Sequence, residues 1–259
     1  MKEMRFVGAS MRLVICLFGL ILASVSYAEE AIEVVAAEGS VMAGDSLGQA
    51  NRPVHPKSIL PGRNALVTGP TARAVIRVGS DGFIVIGKNS QVEIDKTKDR
   101  AGLFRQVTGM IYYALNSIKG KQNAIEVRTA TAVLGIRGTR FLVTDIAGRN
   151  EIGMRKGLIS VTSPEGEFEI HKKAEQDEFE AFKQEAEDAI AKEKRKFEEY
   201  KANAQREFIE YKREFALGEN RMAAFDGKRV VDRPLGGETK KDMESFEVYA
   251  QDWLKEVRD

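Results

Sequence analysis

The stretch A-I-E-V-R-T-A-T-A-V-L-G-I-R-G-T-R-F-L-V, residues 124–143, is the part of the sequence that best indicates the fold. It predicts two short strands, at 125–129 and 139–143, joined by a segment of small residues and glycines. Arg137 lies between Gly135 and Gly138, and this spacing predicts a tight chain path because only glycine reaches positive φ without steric cost. The guanidinium of Arg137 can satisfy several carbonyls in such a corner, which is the structural role we expect. The alternative is an arginine that binds a carboxylate or phosphate of a ligand.

Short strands are also predicted on both sides of this stretch, across residues 31–170. Clusters of β-branched and aromatic residues, at 75–78, 83–86 and 92–94, alternate with glycines and turn residues. Asp81-Gly82, between two such clusters, is typical of a hairpin or tight corner. The run M-I-Y-Y-A-L at 110–115 predicts a central strand, with Tyr112 and Tyr113 on opposite faces. The pattern is compatible with a sandwich, a roll or a solenoid.

The run T-A-T-A-V-L-G-I-R-G-T-R-F-L-V at 129–143 resembles the signature of the FecR domain, an envelope domain known from ferric-citrate signal transduction. The resemblance extends to about residues 38–170, through L-P-G at 60–62, V-T-G at 67–69 and the segment at 72–94. Ala130 and Phe83 depart from the family pattern, as expected of a divergent member. The resemblance implies a twisted, solenoid-like β roll. The motif positions, which we expect to be structural, are Asp81, Gly82, Asn89, Gly135, Arg137, Gly138, Thr139 and Phe141.

The amino end has the order of a secretory signal peptide. Lys2, Arg5 and Arg12 precede an apolar run at 13–25, and Ser-Tyr-Ala at 26–28 follows it. We expect cleavage after Ala28, which places the protein in the periplasm or cell envelope with no membrane span in the mature chain. The alternative is an uncleaved anchor, although the run is shorter than the about 20 apolar residues of a spanning helix.

The composition of the remaining chain argues against several classes of function. Cys16 is the single cysteine and lies in the signal, so the mature chain has no disulfide, thiol chemistry or zinc-thiolate site. The whole chain carries a formal net charge of +1, and loss of a basic signal leaves it near neutrality, which does not favour nucleic acid as a partner. His55 and His171 lie in unrelated contexts, and no catalytic or phosphate-binding motif is present. We therefore predict a non-enzyme with no cofactor and no metal.

In residues 172–226 the spacing of apolar residues changes from that of strands to that of a helix. This pattern predicts a long helix. This segment has no proline, one glycine and a dense mixture of Glu, Lys, Arg, Ala and aromatic residues. Its apolar positions form one stripe, with an eighteen-residue offset that corresponds to five helical turns. A stripe this aromatic is expected to contact either another part of the chain or a partner protein. With the tryptophan of the last segment, the predicted partner-binding residues are Phe179, Phe182, Phe197, Tyr200, Phe208, Tyr211, Phe215 and Trp253.

The sequence therefore divides into five predicted segments. Residues 1–28 are the signal peptide, 29–171 the FecR-like β domain, 172–226 the long amphipathic helix, 227–238 a linker and 239–259 a carboxy-terminal amphipathic helix. Thr239 is the predicted N-cap of the last helix, and its apolar seam includes Met243 and Trp253. This seam is expected to lie antiparallel on the long helix. The predicted fold class is a mainly β, solenoid-like or roll-like domain followed by a long α-helical extension, α+β overall.

Two functional hypotheses follow. The first is an exported binding or scaffold protein of the cell envelope, in which the β domain recognises a protein or an envelope glycan. As the resemblance implies, such a protein could take part in envelope signal transduction, acting through a separate membrane partner. The second is a structural oligomer, in which the aromatic helix builds a bundle and the β domain is a head group. In both cases the protein partner is either a second copy of the chain or another envelope protein.

Overall fold

The structure is a computed structural model that describes residues 32–79, 82–96, 102–116, 125–136, 138–172 and 208–257 of the chain. Nearly all regular structure in these ranges is β-strand, followed by two helices, α1 (Gly237–Tyr249) and α2 (Gln251–Leu254). The strands are β1 Ile32–Glu38, β2 Val41–Gly44, β3 Arg52–Pro53, β4 Ile59–Leu60, β5 Arg63–Thr68, β6 Arg73–Val78, β7 Gly82–Ile86, β8 Gln91–Asp95, β9 Leu103–Leu115, β10 Ile125–Arg128, β11 Val133–Ile136, β12 Thr139–Ile146, β13 Arg149–Lys156, β14 Ile159–Thr162, β15 Phe168–Lys172, β16 Phe208–Lys212, β17 Glu214–Leu217, β18 Arg221–Asp226 and β19 Arg229–Pro234.

The strands form two sheets. Sheet 1 has the order β4, β1, β6, β7, β9, β12, β13, β18, β19, β15, β16. Sheet 2 has the order β3, β2, β5, β8, β9, β10, β11, β14, β17. Neighbouring strands are antiparallel except for the pairs β9–β10 and β15–β19, which are parallel.

The long strand β9 belongs to both sheets. Residues 103–108 pair with β8 in sheet 2, and residues 109–115 pair with β12 in sheet 1. The strand changes sheet at Gly109, whose φ is +100° and where an added Cβ would lie 2.1 Å from Oγ of Ser90. A side chain cannot fit at this position, so the glycine allows one strand to connect the two layers.

The main core lies between the two sheets. Alternate residues of the strands point inward and form one continuous apolar cluster that takes members from both sheets. At its centre the ring of Tyr113 stacks on Phe141 with centroids 4.9 Å apart, and its hydroxyl donates to Oε1 of Gln106 at 3.2 Å. Burial of each large side chain of this kind stabilises the fold by about 1.5–3 kcal/mol. The hydrogen-bond partner of the Tyr113 phenol is therefore supplied from within the core.

A second apolar cluster lies on the outer face of sheet 1, beneath the two helices. Tyr112, which alternates with Tyr113 along β9, points into this cluster. Met243 and Leu254 of the helices pack there against side chains of β6, β7 and β12. The helices therefore cover one face of sheet 1, and the other face contributes to the main core.

The predicted long helix at 172–226 and the α+β fold class are wrong. Strands β16, β17 and β18 occupy residues 208–226 and pair with β15, β14 and β13. Helix-favouring residues such as Glu, Lys and Ala are a weak preference, and pairing with three existing strands outweighs it. Residues 173–207, the rest of the predicted helix, lie outside the described residues. The two α-helices that the structure describes lie at the carboxyl end, and a 3-10 turn occupies Leu47–Gln49.

Two further expectations for this half need correction. The predicted linker at 227–238 contains β19, which forms a hairpin with β18 around Asp226-Gly227. The apolar seam of the last segment packs on sheet 1 instead of on a long helix. Helix α1 begins at Gly237 with Gly236 as N-cap, so Thr239 lies inside its first turn.

The predicted solenoid-like arrangement is also not what the strands form. Successive coils of a β-solenoid stack in parallel, whereas most neighbours here are antiparallel and belong to two packed sheets. The hairpin predicted at Asp81-Gly82 does occur, because β6 and β7 on either side pair antiparallel with Ile76 opposite Ile84. Local turn chemistry thus indicated the pairing of neighbours, but not the arrangement of the layers.

Candidate interaction site

An open groove of 680 Å³ lies between helix α1 and the start of β6. Lys241, Glu244, Ser245 and Val248 share one face of the helix, at the i, i+3, i+4 and i+7 positions of an α-helix. Arg73, the first residue of β6, forms the opposite wall. Val248 is 68% exposed, so the groove combines an accessible apolar side chain with charged and polar groups.

Tyr249 lines the groove, and Arg73 covers its ring. The guanidinium carbon of Arg73 lies 4.0 Å from the ring centroid, and its Nη2 donates to Oε2 of Glu38 at 2.9 Å. The hydroxyl oxygen of Tyr249 is buried and has no hydrogen-bond partner within the described part of the chain. Burial raises the pKa of this phenol, the Glu38 carboxylate raises it further and Arg73 opposes the shift. The phenol of Tyr249 is therefore protonated at neutral pH.

Ion pairs hold helix α1 against sheet 1 and so fix the helical wall of the groove. Arg149 of β13 donates to carboxylates of Glu238 and Asp242 on the helix, each at 3.0 Å, and to Glu151 on its own strand, also at 3.0 Å. Burial lowers the pKa of Arg149, but the hydrogen bonds and charges of Glu151 and Asp242 outweigh this effect and raise the pKa above its ordinary value. A planar guanidinium suits this task because its donors diverge toward several carboxylates.

Glu247 provides a second attachment of the helix. Its Oε1 accepts from the hydroxyl of Tyr112 at 2.7 Å, and its Oε2 accepts from Arg155 at 3.2 Å. The ring of Tyr112 stacks on Phe246 with centroids 6.4 Å apart. Burial, followed by the hydrogen bond to Glu247 and its charge, raises the pKa of Tyr112 well above its ordinary value. The Tyr112 phenol therefore stays protonated, and a hydrogen-bond donor, throughout the physiological pH range.

The motif residues predicted from the family resemblance shape the chain path. Gly138 has φ +84° at the corner between β11 and β12, and Gly82 has φ +132° at the start of β7. A Cβ on Gly82 would lie 2.3 Å from the carbonyl oxygen of Ala114, and one on Gly135 would lie 2.6 Å from Oγ of Ser160. Gly82 therefore excludes a side chain because of the backbone of Ala114, whereas a side chain at Gly135 would require the Ser160 hydroxyl to move.

Of the remaining motif residues, Asn89, Thr139 and Phe141 do not line the groove. Asn89 has φ +50° in the corner between β7 and β8. Thr139 is buried, and Phe141 stacks in the main core. Asp81 and Arg137 lie outside the described residues, so both roles considered for Arg137 stay predictions.

Among the predicted partner-binding residues whose side chains the structure describes, Tyr211, Phe215 and Trp253 lie in different surroundings. Tyr211 is exposed on β16, whereas Phe215 of β17 packs edge-to-face on Phe168 with centroids 5.7 Å apart. Trp253 packs against the cluster beneath the helices. Phe208 begins β16, and the other four, Phe179, Phe182, Phe197 and Tyr200, lie outside the described residues.

The groove residues were not predicted from the sequence. Lys241, Ser245 and Val248 lie on the polar side of the helix whose apolar seam was recognised. Their helical spacing can be read from the sequence. Arg73, however, is distant from them in sequence, and only the packing of α1 on sheet 1 brings Arg73 next to this helix face. The described residues contain no cluster of three or more His, Cys, Asp or Glu side chains that could hold a metal ion. Within the same ranges, neither helix is long and apolar enough to span a bilayer.

The fold and its glycine corners define a two-sheet β protein whose motif residues determine the chain path. Residues 64–160 match the family described as FecR protein, and this region therefore belongs to the FecR family. The family fits a role in the regulation of signal transduction.

Comparison with known structures and sequences adds two findings. The chain is similar to the crystal structure of a candidate anti-sigma factor from Parabacteroides distasonis, with 9% identity and a TM-score of 0.44. The similarity covers 68% of this chain and 62% of that protein, so the chain spans less than two thirds of its length. No curated protein matches the sequence.

Proposed function

We propose that this chain is an exported regulator of cell-envelope signal transduction that binds another envelope protein through the groove beside α1. The observation that carries the proposal is the match of residues 64–160 to the FecR family. The basic residues and apolar run before Ala28 support export to the periplasm or envelope. In this proposal the chain passes its signal to a separate membrane partner.

The composition of the groove supports a protein partner in preference to a glycan. Sugars bind proteins by stacking on free aromatic faces, but Arg73 covers the ring of Tyr249 in the groove. Val248, Lys241 and Glu244 instead offer an apolar contact flanked by both signs of charge. This mixture is typical of protein interfaces, where an apolar centre is surrounded by polar groups.

Export can be tested by cell fractionation and mass spectrometry of the recovered protein. We expect a chain that begins at Glu29 in the periplasmic or envelope fraction. Recovery of the intact chain from the cytoplasm would contradict the export part of the proposal. Recovery of the intact chain from the membrane fraction would instead indicate an uncleaved anchor.

The partner site can be tested with a photo-crosslinking amino acid at Ser245 in living cells. We expect a crosslink to an envelope protein, and Val248→Asp should abolish it because a carboxylate replaces the exposed apolar contact. The matched control is a crosslinker at Thr162, on the outer face of sheet 2, which should give no such product. A deletion strain should show an altered transcript profile that wild type restores and Val248→Asp does not. An unchanged profile on deletion would reject a signalling role.

A further inference from the structure

Strand β16 lies at an edge of sheet 1. It pairs antiparallel with β15, from Phe168 opposite Lys212 to Lys172 opposite Phe208. Within the described ranges, β15 is the strand whose residues are in register with β16. An edge strand presents backbone N–H and C=O groups in strand geometry and can pair with another strand.

The other edges of the two sheets are shorter or carry a proline. Strand β3, at one edge of sheet 2, has two residues and contains Pro53, whereas β4, at the far edge of sheet 1, has two residues. Strand β17, at the last edge, has four residues. Strand β16 has five residues and no proline. Short length and proline are common means of preventing edge pairing, and β16 has neither.

Strand β16 also exposes two large apolar side chains on one face. Ile209 is 48% exposed and Tyr211 is 65% exposed. They alternate with Glu210, whose carboxylate contacts Lys172 at 3.0 Å and Lys212 at 2.6 Å on the opposite face. The strand thus has an apolar face and a charged face, and a strand that pairs with its free edge would meet side chains on both faces.

We propose that β16 of a second copy of this chain pairs antiparallel with β16, with Tyr211 opposite Tyr211 at the twofold axis. In this register each Glu210 lies opposite Lys212 of the other copy, so the charged face is complementary to itself. Shifting the centre to Glu210 would place two carboxylates opposite each other. Opposite charges in directly facing positions stabilise an antiparallel pair and like charges destabilise it, so the Tyr211 register is favoured.

The dimer adds a strand pair without disturbing the groove beside α1, and it is independent of the proposed function. The contact involves few residues per copy, so we expect weak, concentration-dependent association. Sedimentation velocity from about 10 µM to about 1 mM covers the range in which such contacts form. We expect the mean sedimentation coefficient to rise with concentration. A single monomeric species over this whole range would overturn the proposal.

Charge exchange tests the pairing of Glu210 with Lys212. Glu210→Lys places lysine opposite lysine and should weaken dimerisation at least about tenfold. The double variant Glu210→Lys/Lys212→Glu restores opposite charges across the axis and should recover dimerisation. The matched control is Glu165→Lys, an exposed charge reversal in the turn before β15. Near-ultraviolet circular dichroism establishes that each variant is folded. Equal association of wild type and the single variant would overturn the proposal.

Disulfide formation tests the register, because the mature chain has no cysteine of its own. Tyr211→Cys should form a crosslinked dimer under mild oxidation, since the two thiols face each other at the axis. Ile209→Cys is the control and should not crosslink with itself, because Ile209 lies opposite Arg213 of the other copy. A crosslink between Ile209→Cys and Tyr211→Cys in a mixture would indicate the Glu210 register and would overturn the proposed one.

Discussion

The hydroxyl of Tyr112 donates to Oε1 of Glu247 at 2.7 Å and so connects the central strand β9 to helix α1. The two residues are 135 positions apart in the sequence. Tyr112 belongs to the FecR-family region, and Glu247 lies beyond it. This hydrogen bond therefore attaches the carboxy-terminal helix to the family domain, and the helix provides one wall of the groove.

Tyr112→Phe should lower the free energy of unfolding by about 1.5–3 kcal/mol, because a buried hydrogen bond to a charged acceptor is lost. Urea denaturation measures the change. Glu247→Gln and the double variant complete a cycle that isolates the coupling between the two side chains. A coupling energy near zero would show that the 2.7 Å contact does not stabilise the attachment of the helix.

Gly82→Ala should destabilise the protein by more than about 3 kcal/mol, because the new Cβ meets the backbone oxygen of Ala114 at a positive φ. Gly148→Ala is the matched control, since Gly148 also has positive φ, +79°, but no neighbour within 4 Å of an added Cβ. It should lose only about 1–2 kcal/mol, the conformational cost alone. Thermal unfolding of both variants measures the difference, and equal losses would contradict the close approach at Ala114.

Arg149→Met should destabilise the protein by about 1–3 kcal/mol, because the carboxylates of Glu151 and Asp242 lose their shared donor. Lys255→Met removes the exposed Lys255–Asp252 pair and should leave stability unchanged within error. Chemical denaturation at low and high salt gives both values. A loss at Lys255 as large as that at Arg149 would contradict the distinction between the two pairs.

Alkaline pH should destabilise the fold through Tyr113. Burial raises the pKa of this phenol far above its ordinary value of 10.0. Above pH 10 the unfolded chain releases the phenolic proton and the native state retains it, so stability is complete below pH 10 and falls as the pH rises. Tyr113→Phe should therefore reduce the slope of unfolding free energy against pH by up to about 1.4 kcal/mol per pH unit. Identical slopes for wild type and variant would show that Tyr113 ionises in the native state.

Local signals indicated several features of the β region correctly. The Asp-Gly pair between two β-branched clusters predicted the hairpin of β6 and β7, and the alternation of Tyr112 and Tyr113 placed them on opposite faces of β9. These features depend on turn preferences and on the two-residue period of a strand, which neighbouring residues carry. The family resemblance was likewise present in a short contiguous motif.

The region after residue 207 was predicted incorrectly because its local and long-range preferences disagree. Its Glu, Lys, Arg and Ala content favours a helix, and Asp226-Gly227 was interpreted as a helix end when it forms a hairpin turn. In the folded protein the edges of β13, β14 and β15 can pair with this region. Because that pairing outweighs the local helix preference, the region forms strands.

The sequence by itself determined the strand-rich character of the central region, its FecR motif and the apolar seam of the last helix, because these depend on residues close together in the chain. Only the tertiary structure decided that residues 208–234 complete the two sheets, that the last helix covers sheet 1 and that Arg73 meets Tyr249. Those contacts join residues far apart in sequence. Their stability comes from apolar surface and backbone groups that have no partner until the sheets assemble.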